Sequence, residues 1–463
     1  MYLRKIILKN IKCFANFDLD FAAGKKDVRT WTVLLGQNGL GKSTLLQAIG
    51  VALAGPVAVH QLLPIVEGWV RRGEPYGEIE AELLWTEGDA LTPHWLKKKL
   101  PYVARYIVTG DEPERLPEVL RERYSVPTIV EWPGMGTPRE REKVSKDMSR
   151  LKQTAYAEGK PGWLGCGYGP FRRLSGGSQD ADRILCAERK SARFVTLFRE
   201  DAALTNATKW LIDLYNTARD GDENSQRVLT QVKTAFADEL LPQPTMLHIN
   251  ARAALLQIND QRPVPFQDLS DGYRSMLALG IDLLRWLTDA FPDEDNPMNC
   301  PGVVLIDELD AHVHPTWQRQ IGHWLRQKFP NLQFIVATHS PFLAQVAGSG
   351  GNVVLEQTPD GVQPRSEVEA VETWRADQIL TELFDLPTTR SPQVERKIQR
   401  YQKLHRKRQA RQLSQAEEQE YKQLSLWQEE SLPPPLEDSE QRRLAQALQE
   451  AIERQSDRLR QVS

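Results

Sequence analysis

Residues 31–44 read Trp-Thr-Val-Leu-Leu-Gly-Gln-Asn-Gly-Leu-Gly-Lys-Ser-Thr, and their reading decides the fold. Trp31 to Leu35 form a short apolar run of strand length, and Leu45, Leu46, Ala48 and Ile49 then recur at helical spacing. Between them Gly36–Thr44 satisfies G-x-x-x-x-G-K-[ST]. Glycines let main-chain N–H groups close around phosphate at a helix N-terminus. Asn38, Gly39, Gly41, Lys42, Ser43 and Thr44 are the expected nucleotide-binding residues. Lys42 reaches the β- and γ-phosphates, and Ser43 ligates Mg²⁺. A strand before the loop and a helix after it make this a P-loop, so ATP and Mg²⁺ are the expected cofactors.

A second stretch, Gly302 to Gln318 (GVVLIDELDAHVHPTWQ), carries the matching half of the chemistry. Val303, Val304, Leu305 and Ile306 read as a strand buried on both faces of a parallel sheet. Asp307 and Glu308 end it, at the carboxyl edge where open α/β sheets place ligands. Asp307 is the expected second metal residue beside Ser43. Glu308 is the expected catalytic residue, orienting the water that attacks the γ-phosphate. Read alone, the pair is equally an acidic turn after a buried strand.

Further on, Gln333–Ala337 reads as a strand that ends at Thr338-His339-Ser340-Pro341. Upstream, Leu269-Ser270-Asp271-Gly272-Tyr273-Arg274-Ser275 opens a helical pattern leading back to Val303. The Ser270 hydroxyl, the Gly272 main chain and the helix N-terminus are suited to a γ-phosphate. An ordinary capped helix start reads the same way in isolation.

The 463 residues carry a formal net charge of −3 and 40% hydrophobic residues. That supports a large core and gives no global basic field for nucleic acid. Cys13, Cys166, Cys186 and Cys300 show no C-x-x-C spacing, which points to a reducing compartment without a zinc module or disulfide framework. No apolar run is long enough for a bilayer, and the opening residues lack a signal-peptide core. A cytoplasmic protein without membrane contact is expected.

In chain order, strands are expected at 2–9 and 16–22, 77–85 and 102–108. Residues 110–165 are expected to be an insertion of loops and short helices. The two arginines of Gly165–Gln179, Arg172 and Arg173, are candidates to face phosphate. Residues 200–241 form a short helical lobe, Met246–Asn259 a hairpin, and Val353–Glu356 the last strand. The expected division is 1–371 as an ATP-binding head and 372–463 as a helical, charged accessory region. In the latter, Arg396–Arg411 holds eight basic residues and no acid. Asp438 is expected to cap a final helix with Leu444, Leu448, Ile452 and Leu459 on its apolar stripe.

The order of motifs resembles the ABC-type ATPases of the SMC, Rad50 and RecF class over about residues 1–356. Gly36–Thr44 is similar to Walker A, Leu269–Ser275 to the signature loop and Val303–Glu308 to Walker B. Leu309-Asp310 is similar to the D-loop, and His339 to the switch histidine, a third expected catalytic residue with Glu308 and Lys42. Asn10 and Lys12 match strand-turn residues that touch nucleotide in Rad50-like heads. The resemblance implies an α/β P-loop ABC-ATPase head with a mixed, largely parallel sheet flanked by helices. It further implies ATP hydrolysis at a composite site between two heads, hence a homodimer or higher homo-oligomer. Asp271 and Tyr273 depart from LSGGQ, which implies slow turnover. Leu174-Ser175-Gly176-Gly177 is nearer that consensus but lies too far upstream of Val303.

Glu308–Pro315 with its x-x-H-x-H-P pattern, Trp317-Gln318 and the later T-H-S-P resemble the prokaryotic "AAA_21" ATPases of Septu- and retron-type antiphage defence. That resemblance implies a sensor or regulatory subunit controlling a separate effector nuclease (HNH, PtuB-like), with DNA or retron msDNA as a further candidate partner. His312 and His314, lacking a third ligand motif, are read as structural rather than metal-binding. A RecF- or Rad50-like DNA repair ATPase is the alternative, although 200–241 leaves room only for a short lobe.

Overall fold

The computed structural model describes the chain except residues 25–26, 87–100, 125, 175–176, 187–189, 238–244, 259–261, 366–369 and 432–463. Two compact units result, Met1–Asp385 and Leu386–Ser463. The expected helix at Asp438 lies outside the described residues.

The first unit opens with β1 (Tyr2–Ile11) and β2 (Phe14–Asp20), followed by the P-loop strand β3 (Trp31–Leu35). Then come β4 (Tyr76–Leu84), β5 (Tyr102–Thr109), β6 (Ile129–Glu131) and β7 (Leu164–Tyr168). A hairpin of β8 (Thr245–Ile249) and β9 (Ala254–Ile258) is joined by the short β10 (Val264–Pro265). The last strands are β11 (Gly302–Ile306), β12 (Leu332–Ala337), β13 (Asn352–Thr358) and β14 (Gly361–Pro364).

Six strands form the central sheet in the order β14-β13-β3-β12-β11-β7, parallel except where β14 returns against β13. The order β2-β1-β4-β5-β6 gives a separate antiparallel sheet. Every residue of β3, β11 and β12 is buried, as parallel strands covered on both faces must be. The pleat sends alternate side chains to two cores. Val304 and Ile306 join Phe334 and Val336 in one, with the helix Asp271–Ala290. Val303 and Leu305 join Ile335 and Ala337 in the other, with the P-loop helix Lys42–Ala54.

Three expectations change. Residues 110–165 are not an appended insertion of short elements. They contain β6, paired to β5, and a sixteen-residue helix Pro138–Gln153 opened by a Thr137/Glu140 capping box. Asp147 of that helix accepts from the Val103 N–H of β5 at 3.3 Å. Strand β7 was missed because Leu-Gly-Cys-Gly-Tyr lacks the β-branched composition of a strand. Its glycines are steric necessities: a Cβ at Gly165 would come 2.5 Å from Trp163, and one at Gly167 2.7 Å from Leu197. Finally, β14 follows β13, so Val353–Glu356 is not the last strand.

The lobe at 200–241 contains two fifteen-residue helices, Thr205–Arg219 and Glu223–Ala237. The first unit extends through Asp385 because Ile379 and Leu383 are buried in its core and Arg365 pairs with Asp385 at 3.0 Å.

In the second unit, Pro392–Gln409 and Gln415–Ser431 form a helical hairpin around buried Leu404. Arg400 grips Glu420 through two nitrogens at 2.9 and 2.6 Å, and Lys407 meets Glu417 at 2.6 Å. Lys397 and Arg408 lie over the rings of Trp427 and Tyr421. Much of the basic run is therefore engaged within the hairpin.

The glycine packing is open to test. Beyond β7, a Cβ at Gly169 would meet the Thr196 carbonyl oxygen at 2.1 Å, whereas one at Gly348 meets nothing within 4 Å. Gly169→Ala should lower unfolding free energy by about 1–3 kcal/mol, and Gly348→Ala should stay within about 0.5 kcal/mol of the parent. Urea denaturation of both variants measures the difference.

Candidate nucleotide site

The loop between β3 and the helix Lys42–Ala54 takes its shape from its glycines. Gly36, Gly39 and Gly41 all have positive φ, at 140°, 84° and 83°. A Cβ on Gly41 would lie 2.4 Å from the Cys13 Sγ. The turn between β1 and β2 thus packs directly on the loop, which sets Lys12 in its neighbourhood. Lys12 has φ 46° and its ammonium lies 4.7 Å from the Trp69 ring centroid. Asn10 of the same turn donates to Glu74 at 3.3 Å.

Lys42 is 8% exposed, and its Nζ donates to the carbonyls of Gly36 at 2.8 Å and Gln37 at 3.1 Å. Burial pulls its pKa down, opposed by the charges of Asp307, Glu308 and Asp310. Asp307 is 5% exposed; burial raises its pKa, while a hydrogen bond with Ser43 and the nearby Arg172 and Lys42 act the other way. The structure therefore joins Lys42, Ser43 and Asp307. An oxygen donor pair such as Ser43 and Asp307, facing a buried ammonium, fits a hard cation and phosphate. Asn38 and Gly39 lie on the same loop, and Thr44 follows Ser43 in the first helical turn.

Glu308 is exposed and held at φ 46°, a conformation that costs a non-glycine residue about 1 kcal/mol or more. Two residues later the Asp310 carboxylate accepts from the Thr338 hydroxyl and from the His339 N–H, at 3.3 and 3.4 Å. The loops after β11 and β12 are thereby tied together, leaving the His339 side chain exposed.

Ser270 sits at the N-cap of the helix Asp271–Ala290, exposed and making no cap bond with its own side chain. Gly272 is fixed against the neighbouring loop, where a Cβ would meet the His312 carbonyl oxygen at 2.7 Å. Tyr273 stacks edge-on with Trp317 at 4.2 Å. Among the described residues, no hydrogen bond joins Ser270 or Gly272 to Lys42 or Ser43 of the same chain. His314 caps its own helix, Pro315–Lys328, by accepting from the Thr316 N–H at 3.3 Å.

The expectation that both Arg172 and Arg173 face phosphate is corrected. Arg173 is exposed and lies over the Phe171 ring at 5.1 Å. Arg172 is 3% exposed and points inward. Its Nη1 donates to Gly169 O at 2.9 Å and Asp307 O at 2.8 Å, its Nη2 to Glu308 O at 3.0 Å, and its Nε to Ser275 Oγ at 3.1 Å. One guanidinium therefore binds the end of β7, the turn after β11 and the helix that starts at Asp271. Burial pulls its pKa down to about 10, opposed by Asp307, Asp310 and Glu308, so it remains charged at neutral pH. No pattern marks one arginine of an Arg-Arg pair as the buried one, and β7 itself was unread.

Arg172→Lys keeps the charge but loses the planar fork. Stranding some of these acceptors should cost about 1–3 kcal/mol of stability. Chemical denaturation beside Arg173→Lys, which should be near neutral, checks this.

Residues 171–345 match the family model described as "AAA domain, putative AbiEii toxin, Type IV TA system", and residues 5–68 match one described as "AAA domain". The chain is 26% identical over 341 residues to the "Septu protein PtuA" of Bacillus mycoides (strain KBAB4), covering 73% of this chain. It spans only 38% of that relative's length. The "Retron Ec83 probable ATPase" of Escherichia coli is 26% identical over 435 residues, which are 82% of this chain and 76% of that one. A solved SMC head bound to the C-terminal winged-helix domain of ScpA aligns at a TM-score of 0.46 and 14% identity, over 81% of this chain and 100% of that one. No helix among the described residues is long and apolar enough to cross a membrane. The P-loop and the parallel sheet agree with these likenesses: the chain resembles AAA-domain ATPases, the Septu protein PtuA and the retron ATPase among them.

Proposed function

We propose that the chain binds and hydrolyses ATP at a site completed by a second copy, and that it serves as the regulatory subunit of an antiphage defence complex. The observation that carries the reading is the joining of Lys42, Ser43 and Asp307 beside Glu308, with Asp310 tied to Thr338 and His339.

In this reading the loop N–H groups from Asn38 to Thr44 and the Lys42 ammonium bind the β- and γ-phosphates. Mg²⁺, held by Ser43 and Asp307, would neutralise charge on those phosphates. Glu308 orients the attacking water, and His339 senses the γ-phosphate from the loop that Asp310 anchors. Lys12 contacts the nucleotide from the turn that rests on Gly41. Ser270 and Gly272 present their helix N-terminus to the nucleotide of the partner copy, since among the described residues neither has a hydrogen bond to Lys42 or Ser43.

The defence role is supported by the names of the relatives, "Septu protein PtuA" and "Retron Ec83 probable ATPase". Control of a separate HNH nuclease of the PtuB kind belongs to this proposal, as does contact with DNA or retron msDNA. The hairpin of the second unit is the proposed effector dock. Pairing of Arg400 and Lys407 with Glu420 and Glu417 favours a protein partner over a polyanion that would need those charges free. The repair-ATPase alternative is weakened by the lobe, whose fifteen-residue helices are each about 22 Å long, too short to tether distant DNA.

Glu308→Gln should keep ATP affinity and lower turnover on the order of 10²-fold or more, while Lys42→Ala should weaken binding itself. Equilibrium nucleotide binding and steady-state phosphate release separate the two. Unchanged turnover in Glu308→Gln would remove Glu308 from its role.

Mixing Lys42→Ala chains with Ser270→Arg chains should restore part of the activity that each lacks alone, because one composite site per mixed dimer stays intact. No recovery from two inactive parents refutes a shared site. Removal of Leu386–Ser463, which spares the core residues Ile379 and Leu383, should preserve hydrolysis and abolish effector co-purification. Full retention of the effector refutes the docking role.

A further inference from the structure

At the opposite end of β7 from Arg172, a cavity of about 660 Å³ opens where the chain enters the strand. Gly162 N–H bonds Ala290 O there, closing the last turn of the helix Asp271–Ala290 onto the approach to β7. Lys160, Lys190, Arg193 and Arg285 line it, against two carboxylates, Glu158 and Asp289. Trp210 and Trp286 supply its aromatic wall. Volumes of this size hold small organic ligands.

The cations are held in an unusual way. Lys160 Nζ donates to Gln153 O at 2.9 Å, Lys190 Nζ to Ala155 O and Arg193 Nη1 to Trp163 O at 3.0 Å, all main-chain carbonyls. The Glu158 carboxylate accepts from the Lys190 main-chain N–H at 3.0 Å. Arg285 lies 3.9 Å from the Asp282 carboxylate. Arg285 and Arg193 both lie over the Trp286 ring, at 4.4 and 5.4 Å, which orients their planar forks.

Lys190 is 8% exposed. Burial and then the charge of Arg193 bring its pKa down to about 7, opposed by Glu158 and aided by Lys160. Glu158 and Asp289 offset part of the positive charge of the four cations, and a bound phosphate supplies further negative charge with charge-assisted hydrogen bonds.

We propose that this cavity is a second anion site, taking a phosphate monoester of nucleotide size and standing apart from the P-loop. Two guanidiniums, the buried Lys190 ammonium and Lys160 at the exposed rim bind the phosphate, and half-buried Trp210 offers a face to a planar base. The inference does not depend on hydrolysis at Glu308.

The test uses the full chain carrying Lys42→Ala, titrated calorimetrically with inorganic phosphate, AMP, and a short oligonucleotide with either a 5′-phosphate or a 5′-hydroxyl. Phosphate or AMP should bind, and Arg285→Gln in the same background should weaken that binding by about tenfold or more, with Arg285→Lys intermediate. Binding of the 5′-phosphorylated oligonucleotide without AMP assigns the monoester to a strand end rather than a free nucleotide. Thermal melts establish that each variant is folded, and Lys160→Gln, at an exposed position, gives a second reduction should Arg285→Gln fail to fold. The proposal is overturned when no phosphate probe binds the Lys42→Ala chain, when binding is indifferent to Arg285→Gln and Lys160→Gln, or when the 5′-hydroxyl oligonucleotide binds as well as the phosphorylated one.

Discussion

A single buried guanidinium organises the reactive end of this molecule. Arg172 is buried, and it donates to carbonyl oxygens and one hydroxyl. A charge in that position is tolerable only if every acceptor stays in place. That requirement fixes β7 against β11, holds Glu308 in its left-handed turn and anchors the helix that begins at Asp271. The same positive charge lies near Asp307 and favours its ionised form against the effect of burial. Structure and electrostatics are thus supplied by one side chain.

A second constraint works at closer range. Gly41 lies against Cys13, Gly272 against the His312 carbonyl and Gly169 against Thr196, each at a separation no side chain would allow. The P-loop is therefore set on the β1–β2 turn, and the helix Asp271–Ala290 on the loop after β11. Asp310 adds a polar tie from that loop to Thr338 and His339. Every residue expected to meet nucleotide stands on an element braced in one of these ways or lies next to one that is.

Much of this architecture was legible in the residues. The P-loop announces itself because phosphate binding needs glycine, lysine and a hydroxyl at fixed spacing between a strand and a helix. The strand β11 announces itself because four consecutive aliphatic residues ending in two acids have few other uses. What escaped reading was β7, since glycines demanded by Trp163 and Leu197 erase the composition of a strand. With β7 unread, Arg172 stands beside Arg173 as a candidate to face phosphate, whereas it is a core residue. The helix at 138–153 escaped because only four of its residues are buried, leaving a highly charged pattern. The basic run at 396–411 was recognised as a helix, but the acids that engage it sit on the following helix, and pairing of that kind has no sequence period.

The pleat of β11 has one more consequence. Its side chains alternate strictly between two cores, Val303 and Leu305 to one and Val304 and Ile306 to the other. A one-residue slip in the pairing register of this strand would exchange all four between the cores. It would also swap the faces on which Asp307 and Glu308 leave the sheet, turning the residue beside Ser43 into the one that points away. The hydrophobic interior thus serves as a parity check on the order of the two acids.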